Sequence, residues 1–227
     1  ATFNVNSLKM RLPVVRAWGD AQAPDILALQ EIKSLDVPTA ELMAMGYHTL
    51  ADTQKAYNGV ATLSRTQAHM VATRLTTFRE DDQARVLVSR HGDLTVINIY
   101  APNGNPVGSE KYAYKLRWLH ALYQEIAEHR RARAPLVVMG DFNIIPKEID
   151  AATPAAWVDD ALFQREVRDM YRALLTLGMT DCLRAIHGTN TPKLYSFWDY
   201  QAGAWPRNNG IRIDHILASP DMADRLM

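Results

Sequence analysis

Leu136-Val137-Val138-Met139-Gly140-Asp141-Phe142-Asn143 is an apolar run that ends in a glycine, a carboxylate and an amide. Its first residues predict a buried strand, and its polar residues fall where that strand would meet a loop. Gly140 allows close backbone approach, and strand alternation places Asp141 and Asn143 on one side. A carboxylate beside an amide can polarise a water molecule and bond the group that the water attacks. A strand that simply ends in an Asx turn explains this run equally well.

Four other apolar runs also end in a polar side chain, which strengthens the functional interpretation. They are Thr2–Asn6, Ile26–Glu31, Thr95–Tyr100 and Ile211–His215. Rigid strands that deliver polar groups from distant parts of a chain to one rim are a common basis of catalytic pockets. Three of these groups, Glu31, Asp141 and Asp214, are carboxylates that would repel each other unless they share a proton or a divalent cation. The sequence therefore predicts a hard-metal site with oxygen ligands.

Composition narrows the function classes only slightly. Lys plus Arg and Asp plus Glu number 25 each, so a nucleic-acid partner would need a local basic face. The only cysteine, Cys182, excludes an intramolecular disulfide and suits a reducing compartment. We find no signal-peptide pattern and no apolar stretch long enough to cross a bilayer, and we therefore expect a cytoplasmic protein without a membrane partner.

Predicted strands and helices alternate along the chain without repeats or an evident linker, which indicates one domain over residues 1–227. The principal predicted helices are Pro38–Met45, Ser109–Arg131 and Asp159–Leu177. Further predicted strands are Tyr47–Leu50, Gly59–Ser64, Arg85–Ser89 and Ile211–Leu217. Many short strands with a few helices favour an α/β fold of stacked sheets with helices outside.

Asp214 interrupts an apolar strand, and a buried carboxylate needs a partner. It either belongs to the predicted site or forms a salt bridge with a nearby arginine. His215 follows it directly, so strand alternation points the imidazole to the opposite face. We expect His215 to be a hydrogen-bonded structural histidine.

Six segments, in this order, resemble the exonuclease III family of apurinic/apyrimidinic DNA repair endonucleases, within the DNase I-like metal phosphoesterase superfamily. They are Phe3–Asn6, Leu29–Lys33, Asn98–Gly104, Gly140–Ile144, Ser196–Tyr200 and Arg212–Asp214. The resemblance covers essentially the whole chain. It implies a four-layered α/β sandwich, in which two mixed β-sheets lie face to face and helices flank them.

The same resemblance implies an activity. It indicates a monomeric, Mg²⁺-dependent phosphodiesterase, with Mn²⁺ as the alternative ion. The implied substrate is double-stranded DNA with abasic sites or 3′ ends, cut by AP endonuclease and 3′–5′ exonuclease reactions. Glu31 would be the principal metal ligand, with Asn4 on the metal or its waters, and Asp141 would activate the attacking water. Mg²⁺ keeps several waters and takes only one or two carboxylates, so Glu31 with phosphate oxygens is a sufficient anchor.

The resemblance implies roles for three further strand-end residues. Tyr100 and Asn143 would hold the scissile phosphate. Asp214 would orient a histidine or contribute to metal binding. Tyr100 follows a β-branched strand, so without the resemblance a core position would explain it as well.

An aromatic segment predicts how an abasic site is accommodated. Phe197 and Trp198, with Tyr200 and Trp205 nearby, could form an apolar wall that admits a flipped-out sugar lacking its base. Plain packing is the alternative. The best-known family members place Trp before Phe, whereas Phe197 precedes Trp198 here, so either ring could contact the sugar.

Predicted DNA contacts come from basic residues near the Tyr100 strand end. Lys111 and Lys115 lie in a segment with Arg117 that also holds the aromatic residues Tyr112, Tyr114 and Trp118. We expect Lys111 and Lys115 to contact the DNA backbone. Asn103, in the preceding loop, and Arg85 are the other predicted substrate contacts.

Two alternatives remain open from the sequence. Another phosphoesterase of the superfamily, acting on inositol phosphates or sphingomyelin, would use the same metal core. The second alternative is a catalytically inactive DNA-binding fragment. The family ends in one further strand with a Ser-Asp-His segment, whose histidine pairs with the residue matching Asp214, and the family starts a few residues before Ala1. We therefore expect residues 1–227 to cleave more slowly than a longer protein that includes this strand.

Overall fold

The secondary structure of the protein was defined in a computed structural model, which describes residues 1–199 and 203–227. The strands are β1 (Thr2–Asn4), β2 (Ile26–Gln30), β3 (His48–Asp52), β4 (Val60–Ser64), β5 (His69–Ala72), β6 (Val86–His91), β7 (Leu94–Tyr100), β8 (Leu136–Asp141), β9 (Thr180–Asp181), β10 (Phe197–Trp198), β11 (Gly210–Ile211) and β12 (Asp214–Ala218). The helices are α1 (Leu8–Gln22), α2 (Thr39–Ala44), α3 (Glu110–Arg131), α4 (Arg165–Thr176), α5 (Cys182–His187) and α6 (Pro220–Ala223), with 3₁₀ turns at Glu148–Asp150 and Pro154–Trp157.

Residue contacts divide the chain into two compact units. The first comprises Ala1–Tyr100 and Ala134–Asp141, and the second comprises Ala101–Arg133 and Phe142–Met227. The single domain over residues 1–227 stays a prediction.

The first unit is built on two β-sheets. Strands β1-β2-β4-β3 form one sheet, in which β1 and β2 run parallel and the other neighbours are antiparallel. Strands β5, β6, β7 and β8 follow one another in the second sheet, where β7 and β8 run parallel. Contacts of β2 with β7 and β8, and of β4 with β6 and β7, pack these sheets face to face.

Helices α1 and α2 cover the outer face of the first sheet. Both helices bury apolar side chains in one hydrophobic cluster with strands β2 and β4, as expected for amphipathic helices on a sheet. The buried members of this cluster are Val5, Leu8, Val15, Leu27, Leu29, Ile32, Leu42, Met45, Tyr47, Ala61 and Leu63.

A buried polar contact joins the two sheets of the first unit. The side-chain nitrogen of Asn98 donates to the carbonyls of Leu29, at 3.2 Å, and Ala61, at 2.9 Å. Its side-chain oxygen accepts a 2.7 Å hydrogen bond from Gln30. Because a buried amide is costly unless it is hydrogen-bonded, these bonds disfavour any slip of one sheet over the other. They thereby fix where the strand ends meet.

The register of β7 on β8 places two predicted site residues side by side. Tyr100 is the direct partner of Asp141 across these parallel strands. Gly140 has a φ of 147°, and a Cβ atom there would lie 2.0 Å from the carbonyl oxygen of Ile99. The close backbone approach expected at Gly140 is therefore confirmed.

Helix α3 of the second unit confirms the predicted helix Ser109–Arg131. The Ser109 hydroxyl caps it by accepting a 3.3 Å hydrogen bond from the Tyr112 backbone. Its buried face contains Tyr112, Lys115, Trp118, Leu119, Leu122 and Ile126. Helices α3 and α4 contact each other, and β12 pairs antiparallel with β9.

The helix predicted over Asp159–Leu177 is shorter than expected. The helix expected from Asp159 begins only at Arg165. Asp160 accepts a 2.8 Å bond from the Leu162 backbone and a 3.0 Å bond from the side chain of Asn105. Such local side-chain bonds hold the backbone in a turn and compete with helix formation.

The continuous strand predicted over Ile211–Leu217 is interrupted. Strand β11 ends at Ile211 and β12 begins at Asp214. Between them, the Arg212 backbone donates a 2.8 Å hydrogen bond to the carbonyl of Asp150. The chain leaves the strand pairing there because Arg212 enters a buried ionic cluster of the second unit.

Over the ranges 1–199 and 203–227, no helix has both the length and the apolar character that crossing a membrane requires.

Candidate active site

The strand ends of the first unit bring three predicted site residues into contact. The side-chain nitrogen of Asn4 donates to Oε1 of Glu31, at 2.8 Å, and to Oδ2 of Asp141, at 2.9 Å. Asn4 ends β1, Glu31 follows β2 and Asp141 ends β8. One neutral amide thus bridges two carboxylates. It holds each of them in place by a hydrogen bond but cannot cancel their charges.

Glu31 has an uncommon backbone conformation, with a φ of 56°. The left-handed region is unfavourable for a residue with a side chain, and it persists where surrounding contacts enforce it. Here the carbonyl of Glu31 accepts a 2.8 Å bond from the Ser7 backbone, and the next amide, of Ile32, donates to Gly59 at 3.1 Å. These bonds turn the chain sharply at the end of β2 and fix the direction of the Glu31 side chain.

Lys33 supplies the positive charge nearest to Glu31, a contact that the sequence reasoning missed. Its ammonium group lies 2.6 Å from Oε2 of Glu31 and donates a 2.5 Å hydrogen bond to Oδ1 of Asn6. Burial by itself would raise the pKa of Glu31, but hydrogen bonds from Lys33 and Asn4 and the charge of Lys33 bring the pKa below its ordinary value. The Glu31 side chain is therefore anionic at neutral pH.

Tyr100 presents a protonated phenol to the same cluster. Burial raises its pKa well above the ordinary value, and the charges of Glu31 and Asp141 raise it further. The phenol is hydrogen-bonded to the Glu31 carboxylate. Arg85 donates a 3.1 Å bond to the Tyr100 carbonyl, and its guanidinium carbon lies 4.8 Å from the centre of the Tyr100 ring. Arg85 therefore supports Tyr100 as well as being a predicted phosphate contact.

The donor set of this cluster suits a hard divalent cation. Its acceptor atoms are carboxylate and amide oxygens, the ligand type that Mg²⁺ prefers. Within the described part of the chain, no group of three or more His, Cys, Asp or Glu side chains is arranged to hold a metal ion. A cation at Glu31 would therefore need water or substrate oxygens to complete its coordination, which is the usual situation for Mg²⁺.

Asn143 belongs to the second unit, where its backbone and side chain are both fixed. It is 5% exposed and has a φ of 50°. Its side-chain nitrogen donates to the Ala101 carbonyl at 2.8 Å, and its own carbonyl accepts a 2.7 Å bond from the Lys115 ammonium group. The side-chain amide of Asn143 is therefore held rigidly, as a phosphate-contacting residue requires.

The structure corrects the prediction that Lys115 contacts the DNA backbone. Lys115 has no exposed surface, and its ammonium group also donates a 2.9 Å bond to the carbonyl of Asn103. Of the same segment, Lys111 is exposed whereas Trp118 is fully buried. Of the predicted substrate contacts in this region, only Lys111 and Asn103 are exposed to solvent.

Asp214 begins strand β12 and is half-buried. The Ser196 hydroxyl accepts backbone hydrogen bonds from Ile213, at 3.0 Å, and Asp214, at 2.9 Å. Ser196 immediately precedes Phe197, so this contact ties the predicted aromatic wall to the Asp214 strand.

His215 is the structural histidine that the sequence predicts. It is 2% exposed, and its Nε2 atom donates a 3.0 Å hydrogen bond to the carbonyl of Ile144. Its Nδ1 atom therefore accepts the 3.0 Å bond from Arg212. Burial, followed by the charge of Arg212, lowers the pKa of His215 to about 4, so the ring is neutral at physiological pH.

A buried ionic cluster in the second unit escaped the sequence reasoning. Arg212 lies 2.7 Å from Asp150 and 2.9 Å from Asp181, and Arg184 also pairs with Asp150. The phenol of Tyr171 donates to Asp181 at 2.8 Å. Burial would raise the pKa values of Asp150 and Asp181, but the arginines lower them below the ordinary value. In this cluster the arginine-paired carboxylates are Asp150 and Asp181.

The predicted aromatic residues occupy two environments in the second unit. Phe197 packs against a hydrophobic cluster that includes Ile211 and Ile213. Phe197 also lines a cavity of about 410 Å³ with Trp157 and Ile211 among its walls. Trp198 instead packs edge-to-face on Trp205, with ring centres 4.6 Å apart.

Trp198 also donates a 3.0 Å hydrogen bond to Asn208. Of the two adjacent rings, Phe197 is thus the one that lines the cavity. Tyr200, the third member of the predicted wall, lies outside the described residues.

Comparison with known proteins decides the family. The profile of the endonuclease/exonuclease/phosphatase family matches residues 1–226. The chain belongs to this family. It is 32% identical to exodeoxyribonuclease III of Haemophilus influenzae, over 99% of this chain and 88% of that protein.

Two solved structures are similar over nearly the whole chain. An AP endonuclease from Archaeoglobus fulgidus is 38% identical, with a TM-score of 0.93 over 99% of this chain and 87% of that one. A 3′ phosphatase from Neisseria, bound to a product DNA hairpin, is 39% identical, with a TM-score of 0.93 over 98% of this chain and 87% of that one.

These matches confirm three predictions. The chain is of the exonuclease III type, it has the DNase I-like α/β fold with mixed sheets flanked by helices, and it is a hydrolytic repair phosphodiesterase of that type. The family consists of divalent-metal-dependent phosphoesterases. The roles of individual residues stay predictions.

Proposed function

We propose that this protein is a Mg²⁺-dependent DNA repair phosphodiesterase that hydrolyses double-stranded DNA at abasic sites or 3′ ends. The observation that carries the proposal is the contact of Asn4 with both Glu31 and Asp141. It gathers an anionic metal ligand and a candidate general base from three separate strands. The similarity to exodeoxyribonuclease III and to a DNA-bound 3′ phosphatase supports DNA as the substrate.

In this proposal, Glu31 holds the divalent cation, and Asn4 orients the Glu31 carboxylate by its 2.8 Å hydrogen bond. When bound, such a cation supplies positive charge that neutralises the phosphate oxygens as the leaving group departs. Mg²⁺ is the expected ion because all acceptors at the cluster are hard oxygens. Lys33 partly balances the charge of Glu31.

Asp141 accepts the proton of the attacking water. Its Oδ2 atom is held by Asn4 at 2.9 Å, which fixes one oxygen and limits rotation of the carboxylate. When substrate binds, Tyr100 moves its single donated hydrogen bond from the Glu31 carboxylate to a phosphate oxygen, a role that requires the phenol to stay protonated. The raised pKa of Tyr100 meets this requirement at every physiological pH.

Two residues of the second unit take roles from the family resemblance. Asn143 contacts the scissile phosphate through its rigid amide. Asp214 orients a histidine or contributes to metal binding. The cavity lined by Phe197 and Ile211 receives the flipped-out sugar, because a nucleotide without its base leaves only the small deoxyribose to be accommodated. Lys111, Asn103 and Arg85 contact the DNA.

Substrate selectivity tests this proposal. We expect a duplex with an abasic-site analogue to be cut in preference to the same duplex without it, because a missing base lowers the unstacking cost by a few kcal/mol. The comparison is made in Mg²⁺ over a salt series, with an inositol phosphate as a third substrate. Equal handling of both duplexes would indicate phosphate binding alone, and turnover of the inositol phosphate would indicate the rival phosphoesterase. Binding of abasic DNA without cleavage would indicate an inactive DNA-binding protein.

A further inference from the structure

Lys115 is a buried cation whose position in the second unit is unusual for a lysine. It has no exposed surface, and its ammonium group donates to the carbonyl oxygens of Asn103, at 2.9 Å, and Asn143, at 2.7 Å. A buried ammonium group is costly unless it is hydrogen-bonded, and an apolar side chain of similar length would fill the same space without that cost. Filling this space therefore does not explain why the position holds a charge.

The two carbonyls that Lys115 binds belong to separate segments of the second unit. Asn103 lies in the loop that precedes helix α3, and Asn143 lies in the segment that precedes the 3₁₀ turn at Glu148. Gly104 fits this arrangement closely, because a Cβ atom there would come within 2.6 Å of the Lys115 side chain. The loop backbone therefore rests directly on the lysine stem, and one ammonium group links both segments.

The backbone of Asn143 is in the left-handed region, with a φ of 50°. Asparagine adopts this region more readily than other residues with a side chain, so neighbouring contacts decide whether it is held there. The Lys115 bond holds the Asn143 carbonyl, while the bond to Ala101 holds its side chain. Without Lys115, the Asn143 carbonyl would lose this hydrogen bond, and the backbone that carries the amide side chain would be held less firmly.

We propose that Lys115 is a positioning residue that holds Asn143 in the orientation required to contact the substrate phosphate, and that it does so without touching DNA. This inference rests on the proposed function, which gives Asn143 its phosphate contact. It assigns Lys115 to the reaction step rather than to DNA affinity. The two roles differ in kinetics and in salt dependence.

The first measurement separates positioning from DNA contact. Lys115→Met should lower kcat for abasic-duplex cleavage by about 10- to 100-fold, the scale of a small misplacement of a reacting group. The KM and the slope of affinity against salt concentration should stay close to those of the parent protein. A salt slope reduced by about one charge, with raised KM and unchanged kcat, would show a direct phosphate contact and overturn the proposal. Lys9→Met, at an exposed lysine of α1, is the matched control and should cleave like the parent.

The second measurement asks whether Lys115 acts through Asn143. Residues that work as a unit show non-additive effects. Lys115→Met should therefore cause little further loss of kcat when it is added to Asn143→Ala. Equal fold-losses in both backgrounds would show that Lys115 acts independently of Asn143 and would overturn the proposal.

A third measurement does not depend on catalysis. Amide hydrogen exchange of residues 101–104 and 142–145 should be faster in Lys115→Met than in the parent, while exchange in the first unit stays the same. Unchanged exchange in both segments would overturn the proposal. If the parent fails to cleave abasic DNA, the proposed function fails, but this comparison still tests the role of Lys115.

Folding of the variant needs its own safeguard. Lys115→Arg keeps the positive charge but changes the donor geometry, because a longer, planar guanidinium replaces a compact ammonium group. If Lys115→Met does not fold, Lys115→Arg provides the same comparisons, with a smaller loss of kcat expected. A parent-like kcat in Lys115→Arg, together with faster exchange in both segments, would also overturn the proposal.

Discussion

The side-chain nitrogen of Asn4 lies 2.8 Å from Oε1 of Glu31, although 27 residues separate them in the chain. The same nitrogen bonds Asp141 at 2.9 Å. This contact orients two carboxylates toward one small region of the first unit without neutralising either. Two carboxylates held in this way attract a divalent cation, since repulsion between them is relieved when positive charge is shared.

Glu31→Gln should weaken Mg²⁺ or Mn²⁺ binding by at least ~10-fold, because it removes a full negative charge from the ligand. Titration calorimetry with each ion alone measures the change. Asp36→Asn removes an exposed carboxylate from the same loop and should bind metal like the parent. If Glu31→Gln keeps the parent affinity, Glu31 is not the ligand.

Tyr100→Phe should reduce cleavage by roughly 10- to 100-fold, the value of one hydrogen bond to a charged group. The high pKa of Tyr100 means that its ionisation does not limit the rate in the physiological range. The pH–rate profiles of parent and variant should therefore have the same shape between about pH 6 and 9. An alkaline fall that is present in the parent and absent from Tyr100→Phe would show that the phenol titrates in this range.

His215 should make stability depend on pH between about 6.5 and 4. Its pKa falls from 6.5 to about 4 on folding, so within this window the unfolded chain binds one more proton than the folded chain. The stability that the neutral His215 ring contributes is therefore fully present above pH 6.5. This contribution, up to about 3 kcal/mol, is lost as the pH falls toward 4. Urea unfolding at pH 7 and pH 5.5 measures the change.

His215→Gln is the control for this effect, since glutamine does not titrate. The variant is expected to be less stable at both pH values but to lose less stability between them than the parent. Equal losses in both proteins would assign the pH dependence to other groups.

The sequence predicted the residues at strand ends well because that signal is local. An apolar run that ends in a polar side chain identifies both the strand and its last residue. Asn4, Glu31, Tyr100 and Asp141 were each found in this way, and the structure of the first unit brings them together. The contact between Lys33 and Glu31 was missed because Lys33 lies in a sharp turn, with a φ of 55°, where strand alternation no longer applies.

The second unit was harder to predict because its decisive contacts join distant residues. Arg212 pairs with Asp150 and Asp181, which lie 62 and 31 residues away, and no local pattern reveals such pairs. Lys115 did carry a usable signal. It lies three residues after Tyr112 and four before Leu119, on the buried face of α3, so helical periodicity could have placed it inside.

The most direct test of the account is single-turnover cleavage of an abasic-site duplex by the parent protein and by Asp141→Asn, each in Mg²⁺ and in EDTA. The account predicts cleavage by the parent in Mg²⁺ alone. Asp141→Asn should lose about 10²–10⁴-fold in rate, the usual contribution of a general base, while still binding the duplex. Cleavage by Asp141→Asn near the parent rate, or parent cleavage that persists in EDTA, would contradict it.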